Sequence, residues 1–251
     1  MGNDFRYPTG ARPLLIEETA RRRRIEGRFV ALLEDAGFAE IVLPIIDFAE
    51  PYAGVTGRAA ARQSYRFTDR EGELVAIRSD FTPMVARALA PVLDEAMLPL
   101  RVFYRGDVVR CEASRLGSNR ELFQIGAELI GDNSLDADLA MLRLAATIAA
   151  QFHDAPLVVY TDPRLEPALV DDPRFVLYRE DDESGTYYTG LRFWVYGGDR
   201  RNPIAQGGRY DTLYERFGCD AAAIGFTFTV DVLEERSIAV DPQFALAGTE
   251  E

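Results

Sequence analysis

Lysine is absent from the 251 residues, histidine occurs once and cysteine twice. Without lysine there is no phosphate loop of the GK[ST] type, no Schiff-base amine and no lysine general base. The lone histidine, His153, ends a helix-like run and reads as a helix-end or surface residue, which sets aside histidine-dyad metal sites, Ser-His-Asp triads and Cys-His pairs. Cys111 and Cys219 make no CxxC pair and no disulfide framework, so reduced thiols in a reducing compartment are expected. No apolar run reaches about 18 residues, and the first residues lack an apolar core followed by a small-residue cleavage site. A soluble, cytoplasmic protein is the expectation, with no membrane partner.

What the chain has in excess is acid: 41 Asp and Glu stand against 28 basic residues, all of them arginine, for a net charge of −13. That field repels phosphodiester backbones and disfavours nucleic acid as a partner. Hydrophobic residues make up 47%, enough for a well-buried core, and no repeat or composition break divides the chain. Residues 1–251 are therefore read as a single domain. No metal site and no cofactor are expected.

The stretch 101–131 (RVFYRGDVVRCEASRLGSNRELFQIGAELIG) reads as two strands flanking a polar loop. Arg110 and Glu112, two apart, share a face if the strand reaches them. A guanidinium beside a carboxylate suits a phosphate with a base or amine, and equally an internal ion pair. Before it, Leu15 to Gly37 has Ile25, Phe29, Leu32 and Leu33 at helical spacing with a glycine stop. Its Arg21–Arg24 run is either a phosphate patch or, with Glu17, Glu18 and Glu26 in reach, a solvated or interface face.

Phe38 to Phe48 predicts a short strand interrupted by Pro44, at an edge or interface. A hairpin follows around Arg70-Glu71-Gly72, and then a helix with Thr82 as N-cap and Pro83 in its first position, so that Asp80 and Thr82 are fixed at a strand-to-helix junction. Ser134 to Phe152 predicts a second helix, with Leu135, Leu139, Leu142 and Ile148 on one side. Leu157 to Tyr160 predicts a buried strand, and Asp162 to Asp182 an irregular connector. Thr186 to Tyr196 resumes strand character. Gly207 and Gly208 allow either close approach to a ligand or a tight turn. Ala221 to Leu233 alternates as a strand that runs into a short helix.

Taken in order, these segments resemble the catalytic core of class II aminoacyl-tRNA synthetases, specifically the histidyl branch with its non-catalytic paralogue, the regulatory subunit of ATP phosphoribosyltransferase. The helix to Pro44, Phe103 to Glu112 with its loop and return strand, and Ile224 to Leu233 are similar to the three class motifs. Residues 122–128 (LFQIGAE), 187–190 (YYTG) and 207–211 (GGRYD) are similar to segments lining the histidine pocket of that branch. The resemblance implies an α+β fold, an antiparallel sheet flanked by helices, and a homodimer formed through Leu15 to Phe48. It also implies a shortened insertion near 154–183 and no anticodon-binding domain.

On the matching positions, Asp80, Thr82, Gln124, Glu128, Tyr188 and Tyr210 would hold the amino group and imidazole of a histidine-like ligand, or persist as an inherited hydrogen-bonded core. Arg110 and Glu112 would be the remains of a nucleotide site. The departures fall on cations. Val232 replaces the arginine that clamps the γ-phosphate, Glu183 replaces the one that neutralises the substrate carboxylate and α-phosphate, and Ser118 replaces a third in the second-motif loop. Losing one such donor typically costs about 10²–10³ in rate, so no residue is assigned a catalytic role. The expected function is a catalytically silent regulatory subunit of the short-form ATP phosphoribosyltransferase in histidine biosynthesis, with that enzyme's catalytic subunit as partner and histidine as a possible ligand. The alternatives are a minimal amino acid activating ligase with a non-tRNA acceptor and a stand-alone histidine-binding protein.

Overall fold

A computed structural model describes residues 7–52, 55, 64–111, 119–179, 187–197 and 202–236, with side chains to Leu233. Glu112, Ser118 and Glu183 lie outside the described residues, so of the residual nucleotide pair only Arg110, and of the three replaced cations only Val232, can be placed. Two sheets organise the rest. In the larger, the order is β1 (Ala39–Glu40), β5 (Leu100–Val109), β6 (Glu121–Ile130), β11 (Ala223–Thr229), β10 (Pro203–Arg209), β9 (Arg192–Tyr196), β7 (Leu157–Tyr160) and β8 (Phe175–Leu177). The smaller is β2 (Ile46–Phe48), β4 (Leu74–Ile77) and β3 (Arg66–Thr68). The large sheet is antiparallel through its middle, with parallel pairs only at its edges, β1 on β5 and β7 on β8.

Alternation along the strands separates the two faces. Phe123, Ile125, Ala127 and Leu129 of β6, with Ile224, Phe226 and Phe228 of β11, pack beneath α1 (Ile16–Asp35) and α3 (Leu135–Ala150). Phe29 of α1, fully buried, stacks on Phe152 and meets Phe228 edge-on. Burying a side chain of that size is worth roughly 1.5–3 kcal/mol. The same face holds an ion pair: Arg209 on β10 donates to Asp138 of α3 at 2.8 Å, and both are almost fully buried. The opposite face carries Gln124, Gly126 and Glu128 of β6, and α2 (Thr82–Leu89) covers part of it.

Much of this matches the sequence reading, including the hairpin, the long strand pair, and the helices α1 and α3. Four details differ. Phe38 to Phe48 forms two strands in different sheets, because Pro44 sits in the turn between β1 and β2. The connector after Asp162 contains α4 (Glu166–Leu169) and β8, which are too short to show a period. Regular strand begins at Arg192, after the irregular residues 187–191, and the glycines at 207–208 lie inside β10. Leu135, placed on the inner side of α3 by spacing, is exposed at its first turn, and small residues such as Ala145 and Ala149 make the buried contact. The segment 131–179 adds β7 and β8 to the edge of the large sheet and packs α3 onto its face. Among the described residues no helix is long and apolar enough to cross a membrane.

Candidate functional site

Glu128 lies at the centre of the covered face and is completely buried. Three hydroxyls donate to it: Thr82 at 2.9 Å and Tyr104 at 3.3 Å to one oxygen, and Tyr210 in a very short contact to the other. Tyr104 also bonds Thr227 Oγ1 at 2.6 Å. Burial raises the carboxyl's pKa to about 8, against the opposing effect of the hydroxyls, and the nearby Asp80 adds to the rise. At neutral pH the proton is retained, and a cationic group brought against it would release it.

Space for this carboxyl comes from glycine. A Cβ on Gly225, the register partner of Glu128 on β11, would collide with the Glu128 carboxylate. Gly126 plays the same part for the Tyr104 hydroxyl. Behind Tyr104, Phe81 stacks at 4.4 Å and Arg78 lies 4.3 Å over Phe81. Arg78 in turn donates to the Asp107 and Leu43 carbonyls, fastening the turn before α2 to β5.

That turn places Asp80 and Thr82, though not as spacing predicted. The helix begins at Thr82 itself, with Phe81 in the cap position and no side-chain cap. Thr82 spends its hydroxyl on Glu128, and Asp80 accepts the Thr82 amide at 3.3 Å instead. Tyr187 donates to the other Asp80 oxygen at 3.3 Å. Burial raises the Asp80 pKa, and Arg110 opposes that rise. Arg110 also donates Nε to the Ser79 carbonyl at 3.3 Å.

These groups surround a cleft of about 320 Å³ that includes its open mouth, lined by Asp80, Thr82, Gln124, Tyr188, Tyr210 and Arg110 among others. Gln124 is buried, lines the cleft, and makes no side-chain hydrogen bond to the described residues. Tyr187 packs on Tyr188 and stands edge-on to Tyr210. Burial pushes all three phenols above their ordinary range, so they remain hydrogen-bonding hydroxyls. Five of the six residues expected at a histidine-like pocket thus line one cleft, and the sixth, Glu128, lies buried behind it, bonded to Thr82 and Tyr210. Sequence reading missed Tyr104, Thr227 and Gly225, and placed Tyr187 only within the 187–190 segment. Tyr104 and Thr227 are legible as polar residues at strand positions, but only the register brings them to Glu128.

The cleft presents carboxyls, an amide and hydroxyls, which is chemistry for an amine or imidazole. It offers little for transferring a phosphoryl group. Val232, where the resemblance expects the γ-phosphate arginine, packs against the apolar core, and its neighbour Asp231 accepts from Arg22 and from the Phe123 amide at 2.6 Å each. Among the described residues no group of three or more His, Cys, Asp or Glu could hold a metal ion.

Comparison with known proteins agrees with the fold. The family description Histidyl-tRNA synthetase matches residues 10–175 and 181–233. An ATP phosphoribosyltransferase regulatory subunit of Geobacter sulfurreducens is 28% identical over 310 aligned positions, covering 89% of this chain and 71% of the relative. A protein of the same name from Halothermothrix orenii is 34% identical over 143 positions, 57% of this chain and 34% of the relative. In that protein and in three further regulatory subunits the match covers 33% to 42% of the relative's length. A crystal structure described as an ATP phosphoribosyltransferase regulatory subunit/histidyl-tRNA synthetase from Bacillus halodurans superposes with a TM-score of 0.78 at 21% identity, over 95% of this chain and 85% of that one.

Proposed function

This chain belongs to the histidyl-tRNA synthetase family, and on that footing we propose that it is a catalytically silent regulatory subunit of the short-form ATP phosphoribosyltransferase. The observation that carries this reading is the split fate of the two halves of the site. The half expected to take an amine or imidazole keeps its hydroxyls and carboxyls, which converge at Glu128 and the adjoining cleft. The half expected to bind phosphate has Val232, partly buried against the apolar core, where a clamping arginine would stand. Adenylation builds charge on phosphate oxygens and depends on preorganised cations, so the loss of such donors stops chemistry while leaving binding possible.

The names of the relatives support the partner assignment, a catalytic ATP phosphoribosyltransferase chain. The retained pocket supports histidine as the signal, and a role in histidine biosynthesis places the protein in the cytoplasm. Neither a cofactor nor nucleic acid enters this reading. A homodimer through Leu15 to Phe48 is part of it, supported by the exposure of Leu15, Ile16, Val42, Ile45, Ile46 and Phe48.

ATP–pyrophosphate exchange across the standard amino acids separates this role from that of a small activating ligase. The proposal expects no exchange with any amino acid. Exchange driven by one of them would replace the regulatory reading with the ligase, acting on an acceptor other than tRNA.

A further inference from the structure

Glu128 does not open on the cleft itself; hydroxyls stand between, and their hydrogens can be counted. Thr82, Tyr104 and Tyr210 each bond the carboxyl, and Tyr104 also bonds Thr227, four hydroxyls joined by four hydrogen bonds. Each hydroxyl owns one hydrogen, and a protonated carboxyl owns one more. With Glu128 ionised, the hydroxyl hydrogens fill the four bonds and only lone pairs are turned to the cleft. With Glu128 protonated, one hydrogen is left over. It leaves through a hydroxyl that lines the cleft, as Thr82, Tyr210 and Thr227 do and the fully buried Tyr104 does not.

The register shows which hydroxyl carries it. Tyr104, Gly126, Thr227 and Gln206 stand on one rung across β5, β6, β11 and β10. Gly126 has no side chain, so the Tyr104 ring reaches over β6; a Cβ there would collide with its hydroxyl. That reach ends 2.6 Å from Thr227 Oγ1, whereas Tyr104 stands 3.3 Å from the carboxyl, the longest contact the carboxyl accepts. Thr227 is partly exposed and lines the cleft with Gln206. When Glu128 donates to Tyr104 and Tyr104 to Thr227, the Thr227 hydrogen is free for the cleft. Loss of the carboxyl proton reverses the run, and Thr227 then donates inward. The titratable groups facing Glu128 are Asp80 before α2, Tyr104 of β5, Tyr187 and Tyr188 before β9, and Tyr210 and Tyr214 after β10, with Arg110 acting on Asp80. Burial keeps those phenols neutral, so among these groups the two carboxyls are the ones that change charge.

We propose that Thr227 is a specificity-determining residue of this cleft: through Tyr104 it presents the Glu128 proton as a hydrogen-bond donor, and so selects a ligand nitrogen with a free lone pair, neutral imidazole in preference to imidazolium. A cationic nitrogen offers only hydrogens and meets a hydrogen at Thr227, so it binds there at the cost of expelling the buried proton. The inference rests on the pocket proposed above and names the protonation state of the ring that this pocket takes.

Calorimetric titration of the full chain with L-histidine at intervals from about pH 5.5 to 8.5 tests it. Wild-type affinity is expected to rise as the ligand's ring loses its proton at about pH 6.5 and to fall again as Glu128 loses its own at about 8. Thr227→Val is expected to weaken histidine at the optimum by roughly threefold to tenfold, the range of one net hydrogen bond, and to flatten the alkaline fall. Thr227→Ser, which keeps the hydroxyl, keeps the wild-type profile, which a general packing defect would not. Glu128→Gln abolishes the alkaline fall and leaves the acid limb, which belongs to the ligand. An alkaline fall of full size in Thr227→Val overturns the role of Thr227 while the pocket stands. So does a fall that survives in Glu128→Gln, which would place the titration at Asp80, and so does wild-type binding with no alkaline fall. Absence of histidine binding by the wild type at every pH overturns the pocket and the inference together.

Discussion

At Glu128, burial and hydrogen bonding pull protonation in opposite directions, and burial prevails. Its pKa in the fold is about 8, far above the ordinary carboxyl range. The folded protein therefore holds a proton that the unfolded chain releases. The resulting stabilisation is complete below the unfolded pKa, near 4.5, and is lost as pH rises through about 8. Asp80, also raised, contributes with the same sign. Urea unfolding measured at intervals from about pH 5 to 9 should show stability declining over this window. Glu128→Gln, fixed in the neutral form, should flatten the decline, and a slope as steep as wild type would show that the carboxyl is ionised in the fold. Individual residues were unevenly legible in the sequence. Gln124 and Glu128, four apart on an obvious strand, could be placed on one face by alternation. Thr82 could not be placed, because a threonine before a proline looks like a helix cap until a carboxylate 46 residues later competes for its hydroxyl.

Among the elements, β6 and β11 meet through paired small and large residues, and the site depends on the small ones. Gly225→Ala should drive its methyl into the Glu128 carboxyl and the Ala127 carbonyl, and the backbone cannot yield without breaking the β6–β11 ladder. A loss of several kcal/mol is expected, of the order found for overpacked cores or more. Gly27 is the control: it lies within α1 with nothing near a would-be Cβ. Gly27→Ala should stabilise the protein by roughly 0.5–1 kcal/mol. Denaturant midpoints of both variants give the comparison, and a tolerated Gly225→Ala would show that the sheets part more easily than their register implies. Long elements with strong periodicity were readable from sequence, as α1, β5 and β6 show. Short ones were not, because β8 and α4 hold their shape through contacts with β7 and the core.

Over the whole molecule, one face of the large sheet is closed by helices, and the apolar edge near the small sheet is left open. Val42, Ile46, Phe48, Phe67 and Leu74 are all substantially exposed. A dimer formed there should be broken by Val42→Asp combined with Ile46→Asp, read as a halved mass in sedimentation equilibrium with unchanged circular dichroism. Persistence of the larger mass would move the interface elsewhere. The overall architecture was legible because several short segments recur in a fixed order. The expected loss of phosphate chemistry was read from three positions, of which only Val232 falls among the described residues, partly buried against the apolar core.

The central claim concerns an effect on another protein, so reconstitution tests it most directly. Purified chain would be mixed with a short-form ATP phosphoribosyltransferase catalytic subunit from the same cell, followed by gel filtration and assay of phosphoribosyl transfer with and without histidine. Co-elution, with transfer that depends on the mixture and responds to histidine, is the predicted result. A catalytic subunit fully active alone, eluting apart from this chain and indifferent to its presence, would contradict the account.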